Sequence, residues 1–309
     1  MTSEQVLELM VRSANDALHP QIHAWTTEAE RQANLREELE GEVGWLDRRE
    51  WWERFAENCP VSGAAPEDYR GRWLTILPDL HVLAGPGFLG GDLTKPLVRV
   101  MGTSRPLLAA DLPALRAVLF AEFALFAPLF ALFTHAAPIG HMPHTRPDRR
   151  VLAAPLQLLR GRELPASLTL RRAENLDFYP RYAAVYAALH EAHPEHRAYS
   201  RAEDQEDLQD ALDAGMLFEV CVDGAWAGVV AGKNDVQFGM RGVTVAEALL
   251  DAPFKGRGLG AALSLALARG VERPGEQFLF GTIHAENTAA YRAALRAGRA
   301  DVGGWVQLP

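Results

Sequence analysis

The chain has 309 residues, enough for one large domain or two of ordinary size, and its 48% hydrophobic and 23% charged content is that of a globular protein with a packed core. A net charge of −9 argues against general nucleic-acid binding, which depends on phosphate neutralisation by Lys and Arg. The two cysteines, Cys59 and Cys221, are too few and too far apart for a disulfide framework or a cysteine metal site.

The first residues carry early acids and no basic-then-apolar signal pattern, so a cytoplasmic setting is expected. The apolar run 117–133 contains Glu122 and Pro128 and falls short of the ~20 residues that span a bilayer. It reads as a buried helix followed by a buried strand, and no membrane partner is expected.

Residues 3–58 read as helical. Val6, Leu7, Leu9, Met10 and Ala14 recur at helical spacing, Pro20 interrupts, and Thr27 with Glu30 has the spacing of a capping box. Trp45, Trp51, Trp52 and Phe55 then cluster, as a core face or as an aromatic wall. A loop over 58–68 leads to a shorter period. Residues 72–77 and 81–84 flank Pro78-Asp79 as a hairpin. Gly85-Pro86-Gly87 and Gly90-Gly91 read as a loop, and 97–101 as a strand. Asp111 and Pro113 suit an N-cap and first turn of a helix to about Phe126, before a strand over 129–134. His135, His141 and His144 surround a Pro/Gly loop, but they straddle prolines with no acidic or cysteine partner, and no metal site is expected. Residues 151–159 read as one more strand and 161–165 as a linker.

The second half opens on an alternating strand, 167–171, and a helix over 178–190 with Tyr182, Val185, Tyr186 and Leu189 on its apolar face. His190-Glu191-Ala192-His193 lacks the spacing of the zinc-protease signature, which needs two residues between Glu and the second His. Ser200 with Glu203 has capping-box spacing, and the helix it opens runs to Gly215. Residues 217–222 and 226–231 form a hairpin around Asp223-Gly224. A loop or bulge is expected over 237–242, then a strand from Val243, a helix over 259–269, a buried strand over 278–283, a helix from Thr288 closed by Gly298, and a short strand near 305–307.

The stretch 243–260 carries the chemistry. It reads as a strand, a turn and a glycine-rich entry into a helix. Lys255-Gly256-Arg257-Gly258-Leu259-Gly260 gathers backbone N–H groups at a helix N-terminus, where unpaired donors and partial positive charge favour phosphate. The glycines let the backbone approach an anion, and Lys255 and Arg257 add charge.

This order of elements resembles the GNAT superfamily of acyl-CoA-dependent N-acyltransferases over residues 167–309. Two motifs carry the resemblance. The pyrophosphate loop, Gln/Arg-x-x-Gly-x-Gly/Ala, is matched at 255–260 with Lys255 in first place. The later helix-start pattern is matched by Asn287, Tyr291 and Gly298, with Arg299 standing where an aromatic is usual. The resemblance implies an α/β fold with a mixed central sheet flanked by helices. It also implies acetyl-CoA as co-substrate, its diphosphate lying on 255–260 and its pantetheine arm pairing with the strand near Leu249 and Leu250. Asn287 would contact that arm or a bound water. Tyr291 would protonate the departing thiolate, and Glu247 would deprotonate the ammonium of a small-molecule or peptide primary amine, directly or through water. A backbone N–H of the same strand would meet the oxyanion.

Strand 97–101, helix 111–126 and strand 129–134 echo the later strand, helix and strand, each set preceded by a hairpin. The expected organisation is a helical extension (1–58), a degenerate GNAT-like domain (59–165) and an acetyltransferase domain (166–309). The turn Gly102-Thr103-Ser104-Arg105-Pro106 lacks the paired glycines, and Pro106 removes a donor, so the first copy is not expected to bind CoA. The rival to catalysis is a non-catalytic acyl-CoA sensor or interaction module.

Overall fold

The computed structural model describes residues 1–136, 142–272 and 277–309. His141, Pro274 and Gly275 lie outside them. Four helices come first: α1 (Ser3–Ala17), α2 (Pro20–Trp25), α3 (Glu28–Val43) and α4 (Arg49–Asn58). Then follow β1 (Arg72–Leu77), β2 (Leu80–Phe88), β3 (Pro96–Thr103), α5 (Leu112–Glu122), β4 (Phe130–His135), β5 (Arg146–Pro155) and α6 (Leu156–Arg160). The remainder is β6 (Leu168–Arg172), α7 (Tyr179–Ala192), α8 (Gln205–Asp213), β7 (Leu217–Val222), β8 (Ala225–Gln237), β9 (Met240–Leu250), α9 (Gly260–Gly270), β10 (Phe278–His284), α10 (Thr288–Ala297) and β11 (Ala300–Leu308). Among the described residues no helix is long and apolar enough to cross a membrane.

The contacts divide the chain into two compact units. One holds Met1–Arg149, Val236–Met240 and Val302–Pro309, and the other holds Arg150–Asp235 and Arg241–Asp301. In the first, strands run in the order β1-β2-β3-β4, and β11 pairs antiparallel with β4 from Gly304↔His135 to Leu308↔Ala131. Capping boxes start α1 (Thr2 with Gln5) and α3 (Thr27 with Glu30), each stabilising by about 1 kcal/mol. Val6, Leu7 and Met10 of α1 pack with Leu39 and Val43 of α3. Leu112, Leu115 and Leu119 of α5 pack on Val98 and Val100 of β3.

Two expectations in this unit need correction. Gly85-Pro86-Gly87 is strand, not loop: it pairs with Arg99, Val98 and Leu97 of β3. The β1 register ends at Ala84, so Pro86 lies on an edge where its missing N–H leaves no ladder bond broken. A β-carbon on Gly85 would come within 2.8 Å of Met101 Cε, so the end of the Met101 side chain would have to shift to admit one. Asp111 also makes no side-chain cap. It accepts from Arg105 (2.7 Å) and from the Leu108 N–H (2.8 Å).

In the second unit the strand order is β5-β10-β9-β8-β7-β6, with β6, β7 and β8 antiparallel to their neighbours and β10 parallel to β9. One core, under α9, joins Leu263, Leu267 and Val271 to Val220, Val230 and Leu279. Another, under α7 and α8, joins Tyr182, Tyr186 and Leu208 to Val229, Ala231 and Leu249. The expected strand 151–159 stops at Pro155, and Leu156–Arg160 turns helical. The expected loop at 237–242 is a two-residue hairpin turn. Phe238 (φ 53°) and Gly239 (φ 69°) take the left-handed conformations that a hairpin of this twist demands.

Ser200 and Glu203 do not form a capping box. Asp204 is the N-cap of α8, accepting from the Asp207 N–H at 2.9 Å. Glu203 is turned elsewhere, with consequences for the site. Arg299, the departure from the resemblance, is buried and gives its guanidinium to the carbonyls of Leu152 on β5 (2.6 and 2.9 Å) and Gly281 on β10 (3.2 Å). Burial pulls it down to about 10, and it fills a structural position where an aromatic ring was expected.

Candidate active site

β9 is irregular where the chemistry was expected. Val243 and Val245 pack toward α9, whereas Ala246 and Leu249 pack with the α7 cluster and Leu250 returns to the α9 side. In a regular strand 243, 245 and 249 share one face, so the alternation inverts between 246 and 249, as an inserted residue produces. Opposite, Gly228 approaches so closely that a β-carbon would stand 1.9 Å from the Leu249 carbonyl oxygen.

The bulge coincides with Glu247, which is 6% exposed. Tyr182 and Tyr186, one turn apart on α7 and therefore on one face, both donate to its carboxylate. Tyr186 Oη lies 3.0 and 3.1 Å from the two oxygens, and the Ala248 N–H donates to Oε1 at 2.7 Å. Burial raises the carboxyl to about 7, and these three donors limit the rise. Glu203 pushes in the same direction as burial. Its N–H donates to Tyr182 Oη at 2.7 Å, and burial, then Asp207, raises its own carboxyl. Both phenols are pushed up by burial and by Glu247. The arrangement is a buried carboxylate poised near neutrality, suited to taking a proton at pH 7.

β9 then leads into the glycine loop. The Asp251 N–H bonds to Ala227 on β8, and the Asp251 side chain caps a single 3-10 turn, 252–254. Gly256 (φ 75°) and Gly258 (φ 79°) are left-handed, and a β-carbon on either would meet nothing within 4 Å. Among the described residues the amides of 256–260 make no hydrogen bond. Successive free amides with left-handed glycines between them form a concavity for an anion at the start of α9. Leu259 is buried and anchors the loop, and a β-carbon on Gly260 would stand 3.2 Å from the Ala293 Cβ of α10. Burial lowers the Lys255 ammonium, and the Arg257 guanidinium lies 5.7 Å from the Phe254 ring. These residues fit a diphosphate: the amides supply donors, and the two cations stand beside them.

β9 pairs with β10 only over Gly242–Thr244 against Phe278–Phe280 among the described residues. Beyond Thr244 no register with β10 continues among the described residues, and Leu249 and Leu250 lie on that segment.

Asn287 and Tyr291 are engaged within the protein. Asn287 caps α10, its Oδ1 accepting from the Ala290 N–H at 3.1 Å. Tyr291 Oη donates to Asp301 Oδ2 at 2.9 Å. Asp301 is in turn held by buried Arg150, at 2.7 Å through Nη2. Burial, then Asp301, pushes the phenol up to about 12. Glu247 and Tyr291 share no hydrogen bond among the described residues: one faces α7, the other Asp301 and Arg150.

Sequence reading missed Tyr182, Tyr186, Glu203, Asp301 and Arg150. The two tyrosines were visible as members of an apolar helical face, and only their four-residue spacing hinted that two phenols point to one acceptor. The second unit has strand, glycine loop, helix, parallel strand and asparagine-capped helix in succession, the element order that the resemblance implies. No protein-family model matches the sequence, and no curated protein matches it. Among solved structures, a GCN5-related N-acetyltransferase from Sphaerobacter thermophilus is 16% identical, with a TM-score of 0.46 over 81% of this chain and 87% of that one. A GCN5-related N-acetyltransferase from Kribbella flavida is 15% identical, with a TM-score of 0.45 over 77% and 88%. Arabidopsis thaliana Naa50, solved with the bisubstrate analogue CoA-Ac-MVNAL, is 13% identical, with a TM-score of 0.35 over 46% and 98%. At these identities and scores the likeness leaves the chemistry to this chain's own residues.

Proposed function

We propose that the chain is an N-acyltransferase that moves an acetyl group from acetyl-CoA directly to a primary amine of a small molecule or peptide. The observation that carries this reading is Glu247: a carboxylate held near 7 by burial, on a bulged strand that runs straight into an open anion cradle. The amides of 256–260, with Lys255 and Arg257, hold the diphosphate, and the edge of β9 at Leu249 and Leu250 pairs with the pantetheine arm. Asn287 contacts that arm through the part of its side chain not used as a cap.

In the proposed reaction the amine nitrogen attacks the thioester carbonyl carbon, the C–S bond breaks, and the nitrogen's proton passes to Glu247. The leaving thiolate takes a proton from Tyr291. A phenol held at about 12 by Asp301 is a poor donor, so Tyr291 must turn from Asp301 to the sulfur before transfer. The Ala248 amide already serves Glu247, and the oxyanion requires another amide of β9. No Ser or Cys nucleophile enters. The first unit is the degenerate copy in this reading: at its corresponding turn the Ser104 N–H bonds to the His81 carbonyl and Arg105 is taken by Asp79 and Asp111. The setting proposed is cytoplasmic.

The engagement of Tyr291 and Asn287 favours a second reading, a non-catalytic acyl-CoA sensor that keeps the cradle and needs no acid. Titration of acetyl-CoA, followed by thiol release in the presence of primary amines, tests both. Binding with turnover supports the transferase, binding without turnover supports the sensor, and no binding removes both.

A further inference from the structure

The first unit contains a cavity of about 300 Å³, within the size range of small-molecule pockets, to which no role has been given. It holds about ten waters' worth of liquid volume, room for a molecule of roughly ten non-hydrogen atoms. Four aromatic rings line it: Trp45 after α3, Phe55 of α4, Phe88 at the end of β2 and Trp305 of β11. Trp45 stands edge-on to Phe55 with ring centres 5.6 Å apart, and Phe55 lies 6.0 Å from Phe88. These rings present faces and edges to one space and would bury an apolar body.

The charged groups of the lining set the sign of the ligand. Arg99 is neutralised by an ion pair with Glu42, whose second oxygen is buried without a hydrogen-bond partner. Asp148 is 4% exposed. Its Oδ1 accepts from Gln307 Nε2 at 2.8 Å, while its Oδ2 has Arg149 Nε at 3.8 Å, beyond hydrogen-bond reach. The Arg149 side chain is half-exposed and keeps its hydration, which leaves Oδ2 without a protein donor within reach. A cationic donor entering the pocket can pair with Asp148 there, and aromatic faces stabilise a cation in the same space.

We propose that the first unit carries a binding site of its own for a small primary ammonium compound with an aromatic-sized apolar body, the ammonium on Asp148 and the body among Trp45, Phe55, Phe88 and Trp305. The site lies within the first unit and does not depend on the acetyl-transfer reading. The test is calorimetric titration of the full chain with phenethylamine, with 3-phenylpropionate as the anionic control and L-phenylalanine to ask whether Arg149 also takes a carboxylate.

Phenethylamine is expected to bind with a Kd of about 1 mM or tighter, and 3-phenylpropionate at least tenfold more weakly. Asp148→Asn, which keeps the shape and the Gln307 contact, is expected to weaken phenethylamine at least tenfold. Phe88→Leu, at a half-buried position, serves if Asp148→Asn does not fold and is expected to weaken it about threefold or more. Glu247→Gln is expected to leave the binding unchanged, which assigns the heat to the first unit. Equal binding of the anion and the amine, unchanged affinity in both first-unit variants, loss of the heat in Glu247→Gln, or no binding of phenethylamine at all would each overturn the proposal.

Discussion

Replacing Glu247 with Gln probes both the stability and the chemistry of the site. The Gln carbonyl can still accept from the two tyrosines, so shape and donors are largely kept, and the ionisable group is lost. Glu247 holds a proton up to about 7 in the folded chain, against an ordinary value of 4.5. Below about pH 4.5 the carboxyl is protonated in both states, and its full contribution to stability is present. Between 4.5 and 7 the folded state binds a proton that the unfolded state has released, so stability falls as pH rises. Above about 7 that contribution is gone, a difference of ~3 kcal/mol. Glu203, raised by burial, adds a fall in the same direction that the variant retains. Denaturant unfolding of the wild type at pH 5, 6, 7 and 8 should show the decline, and Glu247→Gln should lose most of it. In activity, kcat/KM with a lysine-like amine should rise with pH through about 7 in the wild type, well below the titration of the acceptor itself. The variant should lack that limb and be slower by about 10²–10⁴-fold. A variant that keeps both the limb and the rate would show that Glu247 is not the base. A wild-type stability that does not fall between pH 5 and 8 would show that the carboxyl is not held up by burial.

Other substitutions report on neighbouring parts of the site. Tyr186→Phe removes a donor to the Glu247 carboxylate, of a kind that contributes about 1.5–3 kcal/mol, so the midpoint of the rate limb should move up by about 1–2 pH units. Gly258→Asp forces a side chain into a left-handed position and sets a negative charge beside the diphosphate, and acetyl-CoA should bind at least tenfold more weakly by calorimetry. Asp301→Asn deprives buried Arg150 of its bidentate carboxylate and should lower stability by about 3 kcal/mol, while the Tyr291 phenol, followed by ultraviolet titration, should fall from about 12 toward 10.

Much of the second unit could be read from local signals. The turn Asp223-Gly224, the left-handed pair Gly256 and Gly258, and the cap and closing glycine of α10 each need particular residues at particular places, and the chain supplies them. Where position is decided by tertiary packing, the sequence was silent or misleading. Gly85-Pro86-Gly87 has the composition of a loop, and only its place on a sheet edge beside Met101 makes it a strand. Ser200 and Glu203 have capping-box spacing, but Tyr182 takes the Glu203 N–H and the helix begins at the next acid. The inverted alternation of β9 around Glu247 arises from how β9 packs between α7 and α9, and nothing in 243–250 announces it. Tyr182 and Tyr186 were legible as a buried face and illegible as donors, because the acceptor they share lies about sixty residues away in the chain.

The most direct test of the account is a single reaction mixture of the chain, acetyl-CoA and one primary amine drawn from a panel, with free thiol and acetylated amine measured together over time. The account predicts that thiol and acetylated amine appear in equal molar amounts for at least one amine, faster than without protein. Acetyl-CoA binding with neither product across the panel, or thiol release without acetylated amine, would contradict it.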